Sequence, residues 1–545
     1  MNHSSNSQTQ SLPQNKIKPP LFLLGVAIIT VIAIMIPLIY LMIRAGSVSS
    51  TEELEQLINF IFNVRILTIL LNSIGMAAAS TAIASLIAIP YAFLTVRTDL
   101  PWRKFWSVVS TLPLAIPTYV GSFALIATFG PRGSLLQSWL EPFGVERLPS
   151  IYGWTGTIAA ITLFSYPYLL LSVRAGLQGL DPALEESARS LGYNPWSIFF
   201  KVTLPLLRPS IVAGSLLVSL YALQDFGTPA LMRFNSFTLA IFTQYRSSFN
   251  RSLAASLAMV LVILVLCILF IEQKVRTNAN YYSRGSGAIN KATLIPLGKW
   301  KLPAIAFCCL ISFFSVVLPV GVIILWLTRS SEAIATLQNM LIFARNSAWA
   351  SSLAAIFATL LALPVAILSV RFPSKLSILI ERGTYLGYGL PGIVVALSLV
   401  FFGANYLPWI YQTMPMLVFA YIVLFLPQSV GTNRSSLLQV NPSLEESARI
   451  LGRSPWQTLK EVTLPLVRPG ITSGAVLVFV TAIKELPATI LLSPIGFKTL
   501  AVEIWESTND ARFASAAAAS FGLLVICASL TFVILSQEKK TKNSN

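Results

Sequence analysis

About a dozen stretches of this chain run roughly 18 or more residues with few charges, the length a helix needs to cross a hydrocarbon layer ~30 Å thick. They fall near 21–43, 67–96, 105–129, 153–173, 210–230, 254–272, 303–327, 344–370, 383–402, 412–430, 470–492 and 513–536. A soluble core cannot hide so much apolar surface, and the 55% hydrophobic content, 11% charge and mean hydropathy of +0.73 lead to the same conclusion. Lipid must cover much of the chain. The expected fold class is an all-α polytopic membrane protein of about 12 transmembrane helices. Pro117, Pro167 and Pro391 fall inside these stretches, where neighbouring helices can satisfy the carbonyls they free.

The net charge of +17 does not point to nucleic acid, which needs cations clustered on one soluble face. Here they are spread along the chain. With an even helix count and a cytoplasmic start, roughly 26 of the 38 Lys and Arg fall on inner loops and tails. Arg97, Arg103, Lys104, the 274–301 stretch and Lys539, Lys540 and Lys542 are among them. The expected topology is therefore N-in and C-in. Residues 1–20 are a polar cytoplasmic tail, and the apolar run after them is too long for a signal-peptide core, so it counts as the first retained span. Cys267, Cys308, Cys309 and Cys527 all lie in apolar segments and behave there as small hydrophobes.

The chain is one unit written twice. Asn72-Ser73 through Pro90 to Arg97 matches Asn346-Ser347 through Pro364 to Arg371 at constant spacing, and Pro117 falls on Pro391 at the same offset. After a longer outer loop in the first half, Glu185 through Pro209 matches Glu445 through Pro469. With six spans per copy, both copies begin on the same side, so they are parallel repeats with a pathway between them. The expected organisation is a tail at 1–20, a first repeat at 21–272, a cytoplasmic linker at 273–302, a second repeat at 303–536 and a tail at 537–545.

Between the fourth and fifth span of each repeat lies an inner loop, at 175–209 and 433–469. Asp181 and Asn441 are good N-caps, Pro182 and Pro442 suit the first helical position, and Gly192 and Gly452 can take a left-handed exit. The paired acids Glu185-Glu186 and Glu445-Glu446 favour the positive end of the helix dipole. Asn194-Pro195 and Ser454-Pro455 start a second helix, with Trp196 and Trp456 next. Each loop is expected to be a helix-turn-helix knob. Two equivalent knobs suit two equivalent docking partners.

Glu-Ser-Ala, three residues, Gly, nine residues and Val-Thr-Leu-Pro occur at 186–205 and again at 446–465. This resembles the Glu-Ala-Ala loop of bacterial ABC importer permeases, with Ser187 and Ser447 in place of the middle alanine. The resemblance covers nearly the whole chain and implies a type I ABC importer permease fold in a bacterial inner membrane. It implies that each loop, through Glu185, Glu186, Ala188, Gly192 and Glu445, Glu446, Ala448, Gly452, couples to one of two ATP-binding cassette subunits. The chain has no Gly-rich phosphate loop ending in Gly-Lys-Ser or Gly-Lys-Thr, so ATP and Mg belong to the partner and the chain itself is not expected to be an enzyme.

The stretch from Lys484 to Thr489 with Gly496 to Trp505 is similar to the second half of fused ferric-iron importer permeases. That implies ferric iron as cargo, delivered by an extracytoplasmic iron-binding protein. Thiamine or another organic cation is the alternative within transport. Ionisable groups at membrane depth are costly and usually face a partner or a watery path. Asp225 in the first repeat holds the position of Glu485 in the second, so two carboxylates offer hard oxygen donors for a hard cation, with Lys484 tempering the acidity. Lys484 and Glu485 could equally snorkel or pair at the interface. Glu503, Glu506 and Asp510 share a helix face on the outer side, either simply solvated or a docking surface or outer gate. His3 is the only histidine, so no stable imidazole metal cage is expected. An ion-coupled secondary carrier would also have a parallel repeat, but would not need duplicated knobs. A membrane-embedded enzyme lacks a nucleophile-base pair here.

Overall fold

A computed structural model of the chain describes residues 20–46, 55, 58–59, 62–247, 251–277, 294–329 and 333–543. His3, most of the expected 273–302 linker and the last two residues lie outside them. Among the described residues the chain is helical, with one isolated parallel bridge between Thr98 and Ile295.

The expected spans appear with one refinement. Among the described residues, ten helices are long and apolar enough to cross a membrane, or eleven if a bent pair counts as one span. That pair is the third span of the first repeat, where Arg103–Ala115 meets Thr118–Phe129 at 96°. The expected span at 383–402 is also broken, into Lys375–Tyr385, a tight turn at Leu386–Gly389 and Gly392–Tyr406. The cause is the same in both copies. Pro117 and Pro391 have no N–H to give the preceding turn and push the residue before them out of the helical region: Ile116 sits at ψ 114 and Leu390 at ψ 126.

The other paired spans are continuous. Val64–Arg97 and Ala333–Arg371 are the long second spans, and Trp154–Gly179 and Met414–Gln439 the fourth. Pro195–Gln224 and Pro455–Ala482 are the fifth, each with a π turn at its root, Phe199–Thr203 and Leu459–Thr463. Small residues line the crossings, which lets the backbones approach closely in the absence of a hydrophobic drive between helices in lipid. Ala84, Ala88, Ala354 and Ala358 are fully buried on the second spans.

The halves interlock. The first helix, Leu21–Ala45, packs on the second half's 333–371, 375–385 and 392–406 helices as well as on 251–277. Leu318–Arg329, the later part of the second half's first span, packs on the first half's 118–129 helix. Polar contacts also join the halves: Asn405 Nδ2 donates to Tyr40 Oη of the first helix at 3.2 Å, and the buried Tyr91 and Ser312 hydroxyls, on Val64–Arg97 and Lys301–Ser312, lie 3.2 Å apart. The linker returns onto the first half: Ile295 N donates to Arg97 O at 2.9 Å and Asp99 N to Ile295 O at 3.1 Å.

Candidate coupling knobs and translocation site

Each loop between the fourth and fifth spans is the expected helix-turn-helix knob. Helices Pro182–Ser190 and Pro442–Ile450 are capped by Asp181 and Asn441, whose Oδ1 atoms accept from Ala183 N at 3.0 Å and Ser443 N at 3.1 Å. Gly192 and Gly452 leave the helices at φ 84 and 85, which a side-chain-bearing residue adopts only under strain. Asn194 and Ser454 then cap the next turns, with Ser197 N and Gln457 N as donors at 2.7 and 3.2 Å.

The two glutamates of each pair have opposite surroundings. Glu186 and Glu446 are exposed, whereas Glu185 and Glu445 are 8% and 7% exposed and turn inward. Glu445 Oε1 accepts from Arg371 Nε at 3.0 Å and from Thr463 Oγ1 at 3.0 Å. Arg371 also donates to Val440 O at 3.1 Å. In the first half Glu185 accepts from Thr203 at 3.0 Å, with Arg97 Nε at 3.7 Å and the Arg97 guanidinium bonded to Leu177 O at 3.0 Å. The first glutamate of each pair is thus a tie between the knob, the end of the second span and the π turn of the fifth. Ala188 and Ala448 are buried against the same region. The exposed tip is apolar: Leu191 is 78% exposed and Leu451 83%. Arg97, Arg371, Thr203 and Thr463 complete these ties although the sequence singled out none of them as site residues. All four lie in the duplicated segments, which was the available signal.

At the far end of the fifth spans, Asp225, Lys484 and Glu485 meet around a cavity of about 230 Å³ between the halves. The walls include Thr118, Tyr119, Tyr221, Gln224, Gln428 and Thr481. Each carboxylate sits where its fifth span breaks before a short helix, Gly227–Leu231 or Pro487–Leu492. Asp225 Oδ1 accepts from Thr228 N at 3.3 Å and Glu485 Oε1 from Ala488 N at 3.2 Å, so both are held by equivalent backbone amides. A Cβ on Gly392 would lie 2.3 Å from Glu485 Oε1. Glycine there is what lets the carboxylate reach the broken third span. Lys484 forms no ion pair with either acid; its Nζ donates to Leu114 O at 2.9 Å. Phe226, in the cavity wall, packs with the rings of Phe242 and Trp505, with centroids 5.0 to 6.2 Å apart.

The sequence matches the family described as binding-protein-dependent transport system inner membrane component twice, over residues 89–272 and 356–543. The chain belongs to this family. It is an ABC importer permease with two permease units in one polypeptide, a multi-pass protein of the plasma membrane. The permease is 34% identical over 503 residues, 92% of its length and 95% of the relative's, to the Fe(3+)-transport system permease protein FbpB 2 of Haemophilus influenzae. It is 23% identical to the ferric transport system permease protein FbpB of Actinobacillus pleuropneumoniae, over 92% of this chain and 76% of that one. The molybdenum transport system permease protein ModB of Escherichia coli is 29% identical over 203 residues, covering 87% of its own length and 35% of this permease.

In the permease Glu503, Glu506 and Asp510 are not a free anionic surface. Helix Leu500–Asn509 brings Glu503 and Glu506 to one side, but Lys498 Nζ lies 2.6 Å from Glu506 and 3.9 Å from Glu503. Arg512 reaches Asp510 at 3.1 Å and Glu503 at 4.0 Å. Glu503 is itself buried and accepts from Ser507 at 2.6 Å. Lys498 and Arg512 bracket the three acids and offset most of their charge, a fold-back that periodicity within the helix does not reveal. Among the described residues no group of three His, Cys, Asp or Glu side chains gathers as a metal site.

Proposed function

We propose that this permease is the membrane subunit of an ATP-driven ferric-iron importer. The carrying observation is the pair of knobs, each with an exposed apolar tip over a buried Arg-Glu-Thr tie. Each knob seats in one of two ATP-binding cassette subunits, which hold Mg and ATP. Glu186 and Glu446 meet that partner surface, and Glu185 and Glu445 pass its movement to the second and fifth spans. The knobs and both termini face the cytoplasm, in keeping with the spread of basic residues.

Cargo comes from an extracytoplasmic iron-binding protein docked at the opposite end of the bundle, where Glu503, Glu506 and Asp510 lie. Asp225 and Glu485, one from each half, supply oxygen donors for a hard cation in passage. The same acids disfavour an anionic cargo. Without a stable ligand cage the contact is brief, as transit requires. Closure of the ATPase pair rocks one half against the other and exposes the cavity alternately to the two sides.

Purifying the complex with its extracytoplasmic protein and determining the bound solute tests this reading. Ferric iron on that protein, and loss of iron accumulation when this chain is deleted under iron limitation, are the expected results. Bound thiamine with unchanged iron accumulation would overturn the cargo assignment.

A further inference from the structure

The cation in the cavity is spent on an unexpected partner. Lys484 is half-buried and lines the same cavity as Asp225 and Glu485, and its ammonium donates to a backbone carbonyl of the other half, Leu114 O, at 2.9 Å. Leu114 lies in the tight turn Leu112–Ala115, and the residue that would next donate to its carbonyl in that turn is Pro117, which has no N–H. A reciprocal bond runs back. Tyr119 Oη donates to Lys484 O at 3.3 Å, and the residue that would have satisfied that carbonyl in a continued turn is Pro487, again without an N–H. Two carbonyls orphaned by prolines, one in each half, are therefore each satisfied by a side chain from the opposite half. Close packing accompanies them: a Cβ on Gly227 would lie 2.9 Å from Tyr119 Cβ and 3.2 Å from Leu486 Cδ2.

The two bonds cross the seam between the broken third span of the first half and the broken fifth span of the second; the positions equivalent to Lys484 and Tyr119 in the other copy are Gln224 and Ile393.

We propose that Lys484 is a cargo-sensing bolt: its ammonium fastens the two broken spans across the seam, and a cation seated between Asp225 and Glu485 drives it off. This rests on the cationic cargo proposed above. A polyvalent cation at the acids would face the ammonium across a small, poorly screened cavity, where like charges repel far more strongly than in water. The ammonium then leaves Leu114 O, the carbonyl pair opens, and the halves are free to rock. An empty transporter stays bolted and spends little ATP.

The test uses the complete complex with its ATPase subunits in proteoliposomes, with ATP hydrolysis measured without cargo and with the ferric-loaded binding protein. Lys484→Gln should raise cargo-free hydrolysis about tenfold, the population shift a charge-assisted hydrogen bond supports. It should also abolish further stimulation by the ferric-loaded protein. Tyr119→Phe, which removes the returning bond but keeps the charge, should raise the cargo-free rate about two- to threefold and retain stimulation. Lys484→Arg should fall between wild type and Lys484→Gln. Cargo-free rates at the wild-type level in both Lys484→Gln and Tyr119→Phe would overturn the bolt, as would equal rates in Lys484→Gln and Lys484→Arg. A wild-type complex indifferent to the ferric-loaded protein would overturn the cargo reading and the sensing step, while the cargo-free rates still decide the bolt.

Discussion

Arg371 Nε lies 3.0 Å from Glu445 Oε1, and Arg97 holds the same relation to Glu185 at 3.7 Å in the other half. Each pair joins the end of a second span to a knob, and each glutamate also accepts from a threonine in the π turn that starts the fifth span. A rigid link of this kind lets a movement of the knob reach two membrane helices at once. The tie in the second half is the tighter, because Arg371 Nε bonds Glu445 directly at 3.0 Å whereas Arg97 Nε stands 3.7 Å from Glu185.

Breaking that tie should cost stability as well as coupling. Arg371→Ala leaves Glu445 buried without its cation, a change worth ~3 kcal/mol in comparable buried pairs. Its melting temperature in detergent should fall clearly below wild type. The Arg371→Ala, Glu445→Ala double variant should lose less than the two single changes combined, because removing both partners leaves no unpaired charge. Additive losses would mean that the pair does not interact as the geometry indicates.

The knob tips should govern assembly instead. Charge reversal of Glu186 with Glu446 alters exposed side chains and leaves the buried tie in place. The doubly reversed protein should insert and melt as wild type but fail to retain its ATPase subunits on purification, and uptake should be lost. Leu191→Asp with Leu451→Asp should act in the same direction, since both leucines project apolar surface. Normal transport by the Glu186, Glu446 double variant would refute the docking role of the knobs.

At the cavity, Gly392→Ala should impair transport without affecting assembly. The added methyl needs space that Glu485 Oε1 occupies, so the carboxylate must move away from the broken third span. Asp225→Asn and Glu485→Gln keep the shape and remove the charge, and each should cut iron uptake at least tenfold, roughly the cost of losing a charged ligand. Uptake at the wild-type rate in both amide variants would exclude these acids from the pathway. Measurement of uptake together with ATPase retention separates this defect from a knob defect.

Much of this architecture could be read from the chain because it is duplicated. Asp225 and Glu485 came together as equivalent residues of two repeats, and the knobs were visible as capped helices with a glycine exit. The broken third spans were not, since 105–129 and 383–402 are uniformly apolar and a proline inside a span is compatible with a mere kink. What turns Pro117 and Pro391 into breaks is the extended residue before each and the packing of the pieces across the halves. The inward turn of Glu185 and Glu445 was equally hidden, because their partners lie in other helices, 88 and 74 positions away for Arg97 and Arg371 respectively in the first and second copies. Glu503, Glu506 and Asp510 did share a face, but Lys498 and Arg512, from outside that helix, decide its charge.

Asp99 gives the linker a pH-dependent anchor. It accepts from Leu297 N at 2.8 Å and pairs with Lys301 at 2.9 Å, and these contacts hold its carboxyl below the usual carboxylate range, the Leu297 amide contributing most. A depressed folded value means that the anchor is fully present above the ordinary carboxylate range and is lost as pH falls through the lowered value. At neutral pH the Ile295 and Leu297 amides should therefore exchange slowly with deuterated solvent, and their protection should fall in acid. Asp99→Asn removes the titrating charge while retaining an acceptor, so its residual protection should no longer depend on pH in that range. Equal pH dependence in wild type and Asp99→Asn would show that another group anchors the returning linker.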